Sequence, residues 1–290
     1  MSRPHVVSSS ELQSLRDLEL ITRRTVEGLR QGLHRSPFHG YSAEFSQYRH
    51  YRPGDDLKHV DWKASAKTDR LYTRQFRETT NFSALFVIDV SRSMDYAGKF
   101  DLARAVTAIL GTLVLDQGDA AGVLAMDDRV RLVPPRSGHH HLRLFLSQIG
   151  QLRPTGGAGL SDALRQAASV MKRRGLVVVV SDWYEEDEAL PQVRRLARMG
   201  HDVVVVQTLA REELALDVGG AAEFVDLESG RTLMVQPSAV REGYSAAIAH
   251  WLAKVRDHAI REGMEYLRLV TGAPLEPALR RFLVARRGSA

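Results

Sequence analysis

The stretch Ser83-Ala84-Leu85-Phe86-Val87-Ile88-Asp89-Val90-Ser91-Arg92-Ser93-Met94 decides the fold. Ala84 to Ile88 is an unbroken apolar run rich in aromatic and β-branched side chains, which suits a strand covered on both faces of a parallel sheet. Directly after it, Asp89, Ser91 and Ser93 place polar side chains at every second position. A helix is predicted from Lys99 to Leu115, with Leu102, Val106, Ile109, Leu110, Leu113 and Val114 forming one apolar stripe. A strand, a polar loop and a helix in that order put the loop at the carboxyl edge of an open α/β sheet, the edge at which such sheets bind ligands.

The D-x-S-x-S spacing has a specific chemistry. One carboxylate and two hydroxyls are hard oxygen donors, the kind Mg²⁺ takes in its octahedral shell while keeping several waters. An ion so held retains positive charge and would attract an Asp or Glu of a partner protein. The same spacing also suits a loop in which Asp89 accepts backbone N–H bonds and a serine caps a turn.

Outward from this stretch the chain alternates strand and helix as a doubly wound protein does. Strands are predicted at Ala121–Met126, Leu176–Val180, Val203–Gln207 and Glu265–Val270, and an antiparallel edge strand at Val130–Val133, ended by Pro134 and Pro135. Helices are predicted at His141–Leu152, Leu160–Arg174 with Gly175 as its stop, Pro191–Met199, Ser238–Glu262 and Leu275–Val284. In the long helix, Val240, Tyr244, Ile248, Trp251, Leu252 and Val255 are read as inward. Phe224–Leu227 and Thr232–Val235 form a hairpin turned at Ser229-Gly230. The run Val177–Val180 ends in Ser181-Asp182-Trp183, so Asp182 stands at a strand's carboxyl end as Asp89 does. If the two strands are neighbours, both carboxylates face one crevice.

Ahead of the sheet, Ser10 to Gln31 reads as an amphipathic helix opened by a capping-box pattern. Residues 36–80 differ in texture: Phe45–Tyr51 and Leu71–Phe76 are extended, and Arg52-Pro53-Gly54-Asp55 is a turn. The expected division is residues 1–82 as an N-terminal helix and β-rich segment packing on the main domain, and residues 83–290 as the α/β domain.

With 290 residues, 44% hydrophobic and 26% charged, the chain can build a full core. It has no cysteine, which excludes disulfides, thiolate catalysis and thiolate-bound zinc. No apolar signal core opens it, and it contains no run of 18 apolar residues, so a cytoplasmic protein without a membrane span is expected. The net charge of +5 comes with no basic run interleaved with aromatics, so no nucleic-acid partner is expected. Arg280, Arg281, Arg286 and Arg287 read as a frayed, solvated helix end. His139-His140-His141 reads as a solvated helix start, because consecutive histidines of regular structure do not converge on one ion.

At D-V-S-R-S-M the chain resembles a von Willebrand factor A domain at its metal-ion-dependent adhesion site. The upstream run F-S-Q-Y-R-H-Y-R-P-G-D-D-L-K-H-V-D-W-K-A-S-A-K and the V-V-V-V-S-D of Val177–Asp182 resemble the bacterial family called domain of unknown function 58. The resemblance implies an open, mostly parallel sheet of about six strands. It implies Asp89, Ser91, Ser93 and Asp182 as ligands of Mg²⁺ or Mn²⁺. Where A-type domains supply a Thr from a G-G-T loop, this chain has Gly156-Gly157-Ala158, without the hydroxyl. It further implies a non-enzymatic adaptor working with a MoxR-type AAA+ ATPase, or with a client supplying an acidic residue, in assembling or activating other complexes.

The competing class is a metal-dependent phosphohydrolase with Asp89 as nucleophile at the strand end. Haloacid-dehalogenase-type enzymes place a second Asp two residues on as general acid; here Ser91 stands there. No G-x-S-x-G and no P-loop occur, which argues against serine-hydrolase and ATPase chemistry.

Overall fold

The computed structural model describes residues 15–30, 43–51, 60–61, 65, 70–78, 82–127, 129–156, 159–216, 220–227 and 229–289. Its elements are α1 (Leu15–Arg30), β1 (Ala43–His50), β2 (Tyr72–Glu78), β3 (Ser83–Ile88), α2 (Lys99–Asp116), β4 (Ala120–Met126), β5 (Val130–Arg136) and α3 (His139–Gln151). They continue with α4 (Leu160–Val170), β6 (Leu176–Ser181), α5 (Glu186–Arg198), β7 (Asp202–Leu209), α6 (Arg211–Leu214), β8 (Ala222–Val225), β9 (Thr232–Val235), α7 (Pro237–Arg261), β10 (Glu265–Val270) and α8 (Leu275–Ser289).

Residues 39–82 form one compact unit and the rest of the chain another. In the small unit β1 and β2 pair antiparallel from Ala43 with Glu78 to His50 with Tyr72, with a shift between Phe45 and Gln47. The His50 and Tyr72 rings stack at 4.9 Å. The Arg52–Asp55 turn lies outside the described residues. In the large unit, α1 buries Leu18, Ile21, Val26 and Leu29 and packs on α2 and α3. The N-terminal helix therefore belongs with the α/β sheet by its contacts.

The sheet of the large unit runs β10-β7-β6-β3-β4-β5, parallel throughout except for the antiparallel edge β5. This is the α/β, doubly wound arrangement expected. β6 is buried at every residue, and β3 at all but Ser83. The chain leaves β3 to build β4 and β5 on one side, then crosses back to lay β6 on the other. The β3–β6 boundary is thus the topological switch point, beyond whose carboxyl ends a crevice opens in this class of sheet.

Five elements depart from expectation. Helix α2 is not a single stripe: it is buried at every position from Lys99 to Leu115 except Asp101, enclosed by the sheet, α1 and α3. At Gly111 an added Cβ would lie 2.3 Å from the Phe145 ring, so only glycine admits α3 this close. Strand β5 continues through Pro134 and Pro135, because it is an edge strand and prolines there cost no ladder bond to a further strand.

Helix α4 stops at Val170, five residues before Gly175. Gly175 is required not as a helix stop but because a Cβ there would lie 2.3 Å from the Ser83 carbonyl oxygen. Helix α5 begins at Glu186, ahead of Pro191; its first turn is Glu186, Asp187 and Glu188, acids that suit a helix amino end. Only Pro237, Val255 and Ala259 of α7 are buried, and Val240 is exposed.

The chain's basic end is docked rather than frayed. Arg286 is buried, paired with Asp202 and, at 2.7 Å, with Glu265, and Arg280 pairs with Glu276 at 2.8 Å. Of the three histidines, His139 and His140 are exposed and His141 is buried with Nε2 2.7 Å from the Ala121 carbonyl oxygen. Among the described residues no helix is long and apolar enough to cross a membrane.

Candidate functional site

Because β3 and β6 are parallel neighbours in register, Asp89 and Asp182 emerge side by side. The Asp89 N–H donates to the Val180 carbonyl at 2.9 Å, carrying the ladder one residue past the strand. The loop then turns on the Asp89 carboxylate: Oδ1 accepts the Ser91 N–H at 2.9 Å, and Oδ2 accepts the Ser181 hydroxyl at 2.6 Å. Ser181 Oγ in turn accepts the Trp183 N–H at 2.9 Å. Trp183 takes a left-handed φ of 69° and is fully buried, its indole N–H on the Val206 carbonyl at 3.1 Å. The buried ring anchors the turn that carries Asp182.

Asp182 is 1% exposed and Asp89 7%. Asp182 Oδ1 accepts the Tyr184 N–H at 3.2 Å, and Oδ2 accepts Lys99 Nζ at 2.9 Å. Lys99 Nζ also donates to Glu213 Oε1 at 2.6 Å, while Glu213 Oε2 accepts the Ala210 N–H at 2.7 Å. The ammonium, itself 0% exposed, lies 4.8 Å from the Tyr184 ring centroid and 5.9 Å from that of Tyr96. Ala97 (φ 46°) and Gly98 (φ 78°), both left-handed, turn the chain into α2 immediately before Lys99.

Electrostatics follow from this enclosure. Burial lifts the Asp89 carboxyl from 3.8 to about 6, and the charge of Asp182 pushes the same way, against the hydrogen bonds from Ser181 and Ser91. Burial, with Glu213 and Asp182 nearby, holds the Tyr184 hydroxyl above its usual range.

The donors suit a divalent ion only in part. Mg²⁺ with bonds of about 2.1 Å sets adjacent donors about 3 Å apart; Ser91 Oγ and Ser93 Oγ are 3.1 Å apart. The serine pair thus matches one edge of an octahedron. Asp182 does not complete the set, because its Oδ2 already accepts from the Lys99 ammonium and its Oδ1 from the Tyr184 N–H. Among the described residues no group of three or more acidic or histidine side chains is arranged to hold a metal. Ala158 lies outside the described residues. The loop before it is tied to the site, with Thr155 and Gly156 each donating N–H to the Val90 carbonyl at 3.0 Å. Ser161 is buried and accepts a hydrogen bond from Arg165 at 2.9 Å. For an aspartyl nucleophile the position is poor: both oxygens of Asp89 are occupied by donors, and Ser91 offers no acid two residues on.

These residues floor a cleft of about 1180 Å³. Leu216 and, on and beside β8, Phe224, Val225 and Leu227 add apolar lining, interspersed with Glu223 and Asp226. Tyr96, Tyr184 and Tyr244 also line the cleft. The structure places Asp89, Ser91, Ser93 and Asp182 on the lining of this one cleft, with both carboxylates nearly enclosed. Sequence reasoning missed Lys99, Glu213 and Ser181. One signal for Lys99 was present: a lysine in the first turn of an apolar helix opposes the helix dipole and calls for a tertiary partner.

The family described as "Protein of unknown function DUF58" matches residues 47–253. The chain belongs to the DUF58 family. Uncharacterised proteins of Mycobacterium tuberculosis and Mycobacterium bovis are 29% identical over 288 residues, spanning 96% of this chain and 90% of theirs. The uncharacterised protein YeaD of Bacillus subtilis is 30% identical over 180 residues, 61% of this chain and 43% of its own. Among solved structures, BatB of Bacteroides thetaiotaomicron is 16% identical with a TM-score of 0.46, covering 71% of this chain and 99% of that one. The SpRpn10 VWA domain is 12% identical with a TM-score of 0.39, covering 68% and 93%. This DUF58 member thus carries its conspicuous polar residues at the switch point of its own sheet.

Proposed function

We propose that this protein is a non-catalytic docking module whose cleft at the β3–β6 switch point receives a segment of a partner protein. The observation that carries the reading is the cleft itself. Its polar residues Asp89, Ser91, Ser93 and Asp182 are held by hydrogen bonds, and the exposed Phe224, Val225 and Leu227 add apolar surface to the same lining. Its volume of about 1180 Å³ leaves room for a peptide segment. Such interfaces combine an apolar contact with polar groups that fix register. The family resemblance supports a MoxR-type AAA+ ATPase as the protein it works with, in assembling or activating other complexes, on the cytoplasmic side.

A surface-plasmon measurement against the MoxR-type ATPase of the same organism tests this. Leu227→Glu and Ser93→Arg, both on the cleft lining, are expected to weaken binding at least about tenfold, the equivalent of one lost anchor. Arg173→Glu, on an exposed stretch after α4, is expected to leave it unchanged. Binding that ignores both cleft substitutions would remove the cleft from the interface.

A further inference from the structure

The cation expected at this site is already part of the chain. We infer that the Lys99 ammonium stands in for the divalent ion, and that the cleft, left acidic, receives a basic segment of its partner rather than an acidic one. This inference rests on the docking reading above and names the chemistry of the segment docked.

Three observations lead to it. First, Lys99 Nζ lies between Asp182 and Glu213, at 2.9 and 2.6 Å, with no exposure to solvent. A divalent ion using Asp182 would have to displace a tethered ammonium that has two carboxylates and two aromatic faces around it. Removing one partner of so buried a set leaves an uncompensated charge, so the ammonium is held firmly. Nor is its charge on offer to an incoming carboxylate, since both of its partners lie inside the wall.

Second, the charge that remains is negative. Seven carboxylates line the cleft, among them Glu185, Glu212, Glu223 and Asp226, against Lys99 and Arg211. The whole chain carries +5, so this is a local inversion of sign, and low-dielectric cleft walls focus such a field. Even a bound Mg²⁺ would leave the lining negative. A partner carboxylate would enter against that field; an arginine or lysine would enter with it.

Third, the remaining surface suits the stems and heads of basic side chains. Phe224, Val225 and Leu227 offer apolar surface for aliphatic stems, and the exposed Tyr96 offers a ring to a cation, whereas the Tyr184 ring is already stacked on Trp251 at 5.0 Å and covered by Lys99. Lys99 already shows the second mode, with its ammonium over both rings.

Selection from a random dodecapeptide phage library on the full chain tests the inference, run in parallel in Mg²⁺ and in EDTA. Expected are peptides enriched in Arg and Lys, recovered equally in both buffers, whose synthetic versions bind at least about tenfold more weakly to Glu212→Lys/Glu223→Lys. Both side chains are exposed and neither bonds Lys99, so the fold is retained. Acidic peptides recovered only in Mg²⁺ and displaced by cleft substitutions would overturn the inference and leave the docking reading standing. If no selected peptide is sensitive to Glu212→Lys/Glu223→Lys, Leu227→Glu or Ser93→Arg, the docking reading falls as well.

Discussion

Lys99→Gln is expected to lower the stability of the large unit by about 3–5 kcal/mol, the cost of leaving buried carboxylates without their cation. For a unit of this size that is a fall in Tm on the order of 10 °C. The loss should come from charge rather than from packing, and a double-mutant cycle separates the two. Lys99→Gln/Asp182→Asn removes both charges and should lose less than the sum of the single changes by about 1–3 kcal/mol. The single variant should also respond to metal: with the ammonium gone, Asp182 and Glu213 become available to Mg²⁺, and millimolar MgCl₂ should raise its Tm by linkage. The wild-type Tm should stay put. A wild type stabilised by Mg²⁺ as strongly as Lys99→Gln would mean that the ammonium does not compete for the site.

That the site was half legible in the sequence has a physical explanation. The β3 and β6 runs are continuous because both faces of a central parallel strand are covered, and polar residues at the ends of such strands must lie along one sheet edge. Asp89 and Asp182 could be placed by that rule alone. Lys99 and Glu213 could not: they are separated by 114 residues, and no local pattern ties the first turn of α2 to the short helix after β7. The prolines of β5 misled even though an edge strand is expected there: proline usually stops a strand, but on an edge its missing N–H faces no further strand, so pairing continues to Arg136. Helix α7 misled in the opposite direction. Its apolar spacing between Val240 and Val255 is regular, but of those two ends only Val255 is buried, while Val240 is 42% exposed. Periodicity reports a face, not whether the fold supplies a neighbour for it.

Asp89→Asn should stabilise the metal-free protein at neutral pH, the reverse of what replacing a hydrogen-bonded buried residue ordinarily does. The folded-state pKa of Asp89 stands at about 6 against 3.8 for an unperturbed carboxyl. The native state therefore holds the proton more tightly than the unfolded chain. Its contribution is fully present below about pH 4, declines as pH rises, and is gone above pH 6. A difference of about two pKa units corresponds to roughly 3 kcal/mol. Asp182 opposes the ionised form, while the Lys99 ammonium is engaged by Asp182 and Glu213. Asparagine keeps an acceptor for the Ser91 N–H and stays neutral, but gives up the charge-assisted bond from Ser181, at a cost of about 1–2 kcal/mol. The net expectation in EDTA is a gain of about 1–2 kcal/mol at pH 7.5 that shrinks and reverses on acidification towards pH 4. Urea unfolding of both proteins across that range measures it. A carboxylate retained at such a cost, when a neutral isostere would make the fold firmer, implies that its negative charge is used at the cleft; parallel curves for the two proteins at every pH would remove that implication.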